Sequence, residues 1–368
     1  MIVGVDGNEA NVPKKVGVSV YTLNLLKYFK KKSNKSLRFK IFLKDSPKNL
    51  PEEGPYFRYE VVHGRFLWSQ IFLPLRLYFK KDIDIFFSPA HYLPRFCPVP
   101  SVVTIHDLSY INYPKDFLKK DLFQLKNWTK YSVKQARKII AVSKTTKKDV
   151  MKNYQVPDDK VVVVYNGGVS TSYTLTPSLK DNNVNNPYLL YVGTLQPRKN
   201  ITTLILAFNE IKKIFPEFKL TIAGKKGWLF NEIFKLIDEL GLETDVYFTD
   251  YVTDNQLSYL YKNAFCFVLP SFYEGFGIPV LEAMSFDCPV IASFSSSLPE
   301  IGGDACLYFD PKNPLNLVEK IKTLIENNKL RSDLIKKGRA RVRQFSWDKC
   351  GEETLKIILT NNASSTVS

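Results

Sequence analysis

Two glutamates eight positions apart, Glu274 and Glu282, bracket the segment most suited to chemistry in this sequence, PSFYEGFGIPVLEAMSFDCPVIAS at residues 270–293. Between them the turn Glu274-Gly275-Phe276-Gly277 leads into Pro279 and the helix-forming run VLEAMSF. Proline suits the first turn of a helix, where its missing N–H would have no acceptor anyway. The spacing thus predicts a buried strand, a glycine turn and a helix N-terminus. Backbone amides from Gly277 to Leu281, those of Val280 and Leu281 included, would point out of that terminus. With the helix dipole they make an anion site suited to a diphosphate. The glycines let backbone approach a ligand closely. A carboxylate on either side can accept hydrogen bonds from sugar or ribose hydroxyls. Elsewhere, His106 ends the strand-like run SVVTIHD, whereas His63 and His91 have no comparable context.

Such groups need a scaffold that brings strand ends together. Strands and helices alternate along the chain. IVGVDG, FKIFL, DIDIFFSPA, SVVTIHD, KIIAVS and KVVVVYNG read as strands in the first half. PYLLYVGTL, KLTIAG, DVYFTDYV, AFCFVLPS and CPVIAS follow in the second. This alternation predicts parallel sheets covered on both faces, an α/β fold. The polar stretch TSYTLTPSLKDNNVNNP reads as a linker, and a chain of 368 residues suits two domains. The expected division is 1–178, 179–345, and a helix at 346–368 packing back toward the first domain with a frayed tail. Both doubly wound, Rossmann-like domains would turn their strand-end loops to a central cleft, because ligands bind at the carboxyl ends of such strands.

The 270–293 segment closely resembles the glutamate–seven residues–glutamate signature of family 4 retaining glycosyltransferases of GT-B architecture. YVGTLQPRKNITTLILAF, TIHDL, AVSKTTKKDV, SLPEIGGDACLYFDP and FSWDKCGEETL resemble further landmarks of that family, in order along nearly the whole chain. The HDL motif with the PRKN loop is most similar to mannosyltransferase-type members that use GDP-mannose. The resemblance implies roles for single residues. Glu274 would hold the donor sugar's hydroxyls beside Gly275, Phe276 and Gly277, and Glu282 those of the ribose. Arg198 and Lys199 would meet the diphosphate, the guanidinium gripping two oxygens and the ammonium acting as a point charge. Thr194 stands where many members carry an arginine. Gly17 would touch the β-phosphate, His106 the donor sugar near the reacting centre, and Val252 and Leu257, with Tyr251, the nucleobase. Asp107 would orient its loop.

The same resemblance implies transfer without a metal or other cofactor, the departing phosphate taking the acceptor's proton. One Asp-x-Asp string, Asp82-Ile83-Asp84, matches the metal motif of other glycosyltransferases, but it abuts a buried strand and reads as structural. The implied partners are a nucleotide sugar and a saccharide or lipid-linked acceptor in cell-surface polysaccharide synthesis. Competing readings are a UDP-sugar donor, an epimerase or phosphorylase on the same architecture, and a basic non-catalytic nucleotide-sugar-binding protein.

Composition narrows the field. The chain is 45% hydrophobic and 24% charged, which suits a folded globular protein. Its five cysteines are scattered without metal or redox spacing, as expected of reduced thiols in a cytoplasmic protein. No apolar run reaches the ~20 residues of a membrane span, and MIVGVDGNEA lacks the features of a signal peptide. The charge is lopsided. Residues 1–178 hold 30 Lys+Arg against 14 Asp+Glu, and residues 179–368 hold 22 against 22. That asymmetry points to an anionic partner for the first half. RNA or DNA recognition motifs are absent from the sequence, so a nucleic acid is not expected. RFLWSQIFLPLRLYFKK (65–81) mixes basic and aromatic residues and reads either as a packed helix feeding the strand DIDIFF or as an interfacial helix, which with the basic first half suggests peripheral docking at an anionic cytoplasmic membrane face.

Overall fold

The computed structural model describes residues 1–15, 17–64, 66–168, 187–228 and 230–361. It divides into two compact units, one formed by Met1–Gly167 together with the chain from Ser346, the other by Gly168–Phe345. The domain boundary expected near residue 180 and the polar tail beyond residue 361 lie outside the described residues.

Unit 1 contains β1 (Ile2–Asp6), β2 (Arg38–Leu43), β3 (Phe57–Val61), β4 (Ile85–Ser88), β5 (Ser101–Ile105), β6 (Lys138–Ala141) and β7 (Val161–Val163). Their spatial order is β3-β2-β1-β4-β5-β6-β7 and every pair is parallel. Val3 of β1 sits opposite Phe39 on one side and Ile85 on the other, so the order reverses between β1 and β4. The sequences IFFS and SVVTI of β4 and β5 are buried throughout, as strands covered on both faces must be. Phe29, on the helix Val18–Lys32, stacks on Phe39 with ring centroids 4.9 Å apart.

The last helix, Trp347–Thr360, belongs to this unit and packs on Val18–Lys32. Ser346 caps it by accepting a bond from the Lys349 amide at 3.1 Å. Gly351 permits the close approach: a Cβ there would lie 2.3 Å from the Tyr28 ring.

Unit 2 contains β8 (Tyr188–Val192), β9 (Lys219–Ala223), β10 (Val246–Asp250), β11 (Cys266–Leu269), β12 (Val290–Ser293) and β13 (Cys306–Phe309). The order is β10-β9-β8-β11-β12-β13, again all parallel. Its reversal falls between β8 and β11. In open α/β sheets ligands bind at such a switch point, beyond the carboxyl ends of the strands. The two loops that carry Lys199 and Glu274 leave these two strands.

Two strands were not expected from sequence, β3 and β13. Both are sheet edges. Asp82 and Asp84 have structural partners: Asp82 binds Arg76 at 2.7 Å and Lys40 at 2.5 Å, and Asp84 accepts from the Ile2 amide at 2.6 Å.

Candidate functional site

In unit 2 the loop after β8 runs through Pro197–Lys199 to Asn200 and then the helix Ile201–Ile214. Asn200 adopts a left-handed conformation (φ 56°). Its buried amide donates to the carbonyls of Pro270 (3.0 Å) and Pro311 (2.7 Å). The Phe272 amide donates to the Arg198 carbonyl at 2.9 Å, so the β8 and β11 loops are stitched together by backbone. On this frame Lys199 Nζ lies 2.6 Å from Glu274 Oε1. Arg198 Nη1 donates to the Tyr273 carbonyl at 3.0 Å and stands 3.7 Å from Glu274 Oε2.

Glu274 is 9% exposed. Burial alone would raise its pKa, but Lys199, Arg198 and the Ser271 hydroxyl together hold it below the usual glutamate value. The group is therefore ionised at neutral pH. Ser271 Oγ donates to Oε1 at 2.6 Å, so with Lys199 that oxygen has two donors, while Oε2 has Arg198 Nη1 at 3.7 Å. Two cations around one carboxylate leave a net positive charge suited to phosphate.

A serine clasp holds this loop, and the sequence reading overlooked it. The Glu274 amide donates to Ser296 Oγ at 2.8 Å, and Ser297 Oγ donates to the carbonyls of Glu274 and Phe276, both at 2.9 Å. Ser293 and Ser295 donate to the Ser271 carbonyl at 2.5 and 2.9 Å. The available signal was the run SFSSS (293–297), which begins at the last residue of β12.

The helix after the turn is Ile278–Ser285. Gly277 caps it at φ 101°, and a Cβ there would lie 2.7 Å from Leu298 Cδ2, so both strain and space demand glycine. One expectation needs correction. The Val280 amide donates to the Gly277 carbonyl at 3.0 Å, and Leu281 is the first residue whose amide the helix ladder itself satisfies. Neither amide is left for phosphate. The helix starts at Ile278, one residue before Pro279, so its N-terminal end lies at Gly277 and Ile278.

Glu282 is partly buried one turn inside, where its Oε2 accepts from Tyr261 OH at 3.0 Å. Burial pushes its pKa up to about 7, more than Tyr261 lowers it. Tyr261 and Leu257 lie four apart on the helix Asp254–Asn263 and so share a face. The residues expected at the ribose and the base are thus brought to one strip, with Val252 in the loop that leads into that helix.

Gly17 and His106 lie in unit 1. Gly17 (φ 50°) caps the helix Val18–Lys32, and its carbonyl accepts from the Tyr21 amide at 3.0 Å. Tyr21 OH bonds Thr104 Oγ1 at 3.0 Å, and its ring meets His106 edge-on at 4.8 Å. His106 Nε2 lies 2.7 Å from the Pro89 carbonyl. A carbonyl only accepts, so Nε2 carries the proton and Nδ1 is the basic nitrogen. Burial and the neighbouring His91 push its pKa down to about 3. Asp107 Oδ1 accepts from the amide and hydroxyl of Ser109 (2.9 and 2.7 Å), a turn that fixes the loop. In the AVSKTT segment Ser143 caps the helix Lys144–Tyr154, and Thr146 Oγ1 reaches the His106 carbonyl at 3.2 Å.

His91 was assigned nothing, yet its ring lies 5.7 Å from that of His106. It follows β4 at the switch point of the unit 1 sheet, in a left-handed conformation (φ 45°), and its buried Nδ1 has no hydrogen-bond partner. Its place just past a strand end was the signal.

The chain resembles known proteins in sequence and in fold. Residues 16–168 match the model for Glycosyltransferase Family 4, and residues 178–341 match that for Glycosyl transferases group 1. The chain is 32% identical over 281 residues to O-antigen chain mannosyltransferase B of Escherichia coli, covering 74% of this chain and 73% of that one. Among solved structures, the sucrose-phosphate synthase of Thermosynechococcus elongatus superposes with a TM-score of 0.76 at 19% identity, covering 98% of both chains. Anabaena HepE, in complex with UDP-glucose, gives 0.74 at 18% identity, covering 98% of this chain and 99% of that one. These structures share the GT-B fold with the present chain. With one family model on each half and a full relative at this identity, the chain belongs to the glycosyltransferase family that the group 1 and Family 4 models describe.

Proposed function

We propose that the protein transfers a hexose, mannose from GDP-mannose, to a saccharide or lipid-linked acceptor in cell-surface polysaccharide synthesis, with retention at the anomeric carbon and without a divalent cation. The observation that carries this reading is the cluster of Lys199, Arg198 and ionised Glu274 at the switch point of unit 2. As the bond between the anomeric carbon and the phosphate oxygen breaks, negative charge grows on the diphosphate, where the two cations and the helix dipole oppose it. The acceptor oxygen attacks from the same face and its proton passes to the departing phosphate oxygen. No side-chain base is then required, and the protein contributes positioning and electrostatics.

Glu274 Oε2 would accept from donor sugar hydroxyls, Glu282 from the ribose, and Val252 and Leu257 would lie against the base. His106 would offer Nδ1 to a sugar hydroxyl. Gly17 leaves open space at its helix end for a β-phosphate. Mannose is supported by the mannosyltransferase relative, and a uridine donor is the second reading because HepE holds UDP-glucose. Action at the cytoplasmic face of a membrane fits the basic first half.

Calorimetric titration with GDP, UDP and ADP, followed by donor hydrolysis with the matching sugars, tests this. Tightest binding of GDP and turnover that survives EDTA support it. Tightest binding of UDP moves the donor to uridine, and turnover restored only by manganese overturns the metal-free scheme.

A further inference from the structure

The helix Phe72–Phe79 in unit 1 buries its one charge and leaves large apolar side chains exposed. Its single charged residue, Arg76, points inward with a side chain only 8% exposed. There Nε and Nη2 donate to Glu60 at 2.5 and 2.6 Å, while Nη1 and Nη2 donate to Asp82 at 2.7 and 2.8 Å. Leu73 and Leu77 also face the core. The large apolar residues point the other way: Phe79 is 83% exposed, Tyr78 57% and Leu75 50%, with Phe66 at 79% in the loop just before. A helix meant to face water places these groups in the opposite sense. The bidentate contacts of Arg76 to two carboxylates pin that orientation and prevent the helix from rolling its apolar side inward.

Two further exposed residues, Leu67 and Phe96, both adopt φ 51°, a costly conformation for non-glycine residues that persists where the surroundings or a function impose it. Arg95 ties Phe96 to this surface by donating to Gln70 Oε1 at 3.0 Å, and its guanidinium stacks over Tyr131 at 4.3 Å. Tyr131 belongs to the helix Lys119–Gln135, which exposes Lys119, Lys120, Lys126 and Lys130. Residues 61–81 contain no Asp or Glu, and Lys80 and Lys81 are exposed at the helix end.

We propose that residues 66–79 insert into the interfacial layer of an anionic lipid bilayer, apolar side chains among the acyl chains and the flanking lysines at the headgroups. The charge pattern selects this occupant: an apolar surface that ends in exposed Lys80 and Lys81, with no carboxylate anywhere in residues 61–81, complements an anionic bilayer, as interfacial helices do. None of the described helices is long and apolar enough to cross a membrane, and interfacial seating requires no crossing. The inference goes beyond the proposed transfer reaction, whose machinery lies in other residues.

The test is co-sedimentation of the full chain with phosphatidylethanolamine–phosphatidylglycerol vesicles, for wild type, the double variant Leu75→Ser/Phe79→Ser, and Lys80→Glu/Lys81→Glu. The apolar double variant is expected to lose about a hundredfold in vesicle affinity, roughly tenfold for each exposed side chain removed. Its thermal unfolding and nucleotide binding should match wild type. The charge variant should bind more weakly at low salt, and wild type should retain part of its binding at high salt, because apolar insertion is not screened. Equal vesicle binding by wild type and the apolar variant overturns the proposal, as does failure of wild type to bind. If sedimentation velocity shows a wild-type dimer that the apolar variant abolishes, the surface pairs with a second copy and the lipid assignment is wrong. Nucleotide binding is read in the same samples, so loss of the transferase reading would register separately.

Discussion

Lys199 Nζ and Glu274 Oε1 meet at 2.6 Å across 75 positions of sequence, linking the loops after the two strands that flank the switch point of unit 2. The contact serves both parts of the site. It keeps a buried carboxylate ionised, and it fixes the cation that the proposed mechanism sets against the departing phosphate. Removing either partner is therefore expected to cost stability as well as turnover.

A double-mutant cycle separates those costs. Lys199→Ala should destabilise the protein by about 3 kcal/mol, because Glu274 loses its nearest compensating charge. Combined with Glu274→Gln the loss should fall short of the sum by about 1–3 kcal/mol, since the two act as one pair. Urea unfolding of the four proteins measures both quantities. Strict additivity would mean that the pair does not couple in solution.

The two glutamates should differ kinetically. Glu274→Gln is expected to lower kcat about a hundredfold to a thousandfold, as loss of a preorganised electrostatic contact at the reacting sugar does. Glu282→Gln should mainly raise the donor KM, by about tenfold, because a hydrogen bond to a charged group is lost away from the reacting bond. Steady-state kinetics with varied donor decide, and reversed effects would exchange the two roles.

Glu282 predicts opposing pH trends. Its carboxyl moves from 4.5 to about 7 on folding, so the folded state holds a proton that the unfolded chain releases. This favours the fold fully below pH 4.5 and is lost as pH rises through about 7. Donor affinity should rise over the same window as the carboxylate forms to accept ribose hydroxyls. Glu282→Gln should flatten both curves, the stability curve by on the order of 3 kcal/mol. Thermal unfolding and nucleotide titration against pH measure them.

His106, with its pKa near 3, stays neutral through the physiological range and acts as a hydrogen-bonding group. His106→Asn keeps an acceptor near the Nδ1 position, whereas His106→Gln places its amide near Nε2. The Asn variant should retain more kcat/KM, with a gap of about tenfold. Neither should remove an ionisation from the pH–rate profile between about pH 5 and 8. A profile that loses a limb in either variant would show that the histidine titrates during turnover.

Sequence alone determined the α/β class, the strands buried on both faces and the glycine- and proline-marked loops that follow them, because continuous apolar runs and glycine–proline punctuation are local signals. It also placed Glu274, Lys199 and His106 at strand ends. The edge strands β3 and β13 stayed hidden because Arg58 and Glu60 interrupt the apolar run in FRYEV, and CLYF is only 4 residues long. Only the fold decided which strand ends are neighbours. It set Ser271, Ser296 and Ser297 around Glu274, brought His91 beside His106, spent the amides of Val280 and Leu281 inside a helix, and turned Arg76 inward so that Phe79 faces out. Those outcomes rest on contacts between segments far apart in the chain or on the exact residue at which a helix begins. Residue type and spacing record neither, since burial, charge pairing and hydrogen-bond direction are settled only once the sheets assemble.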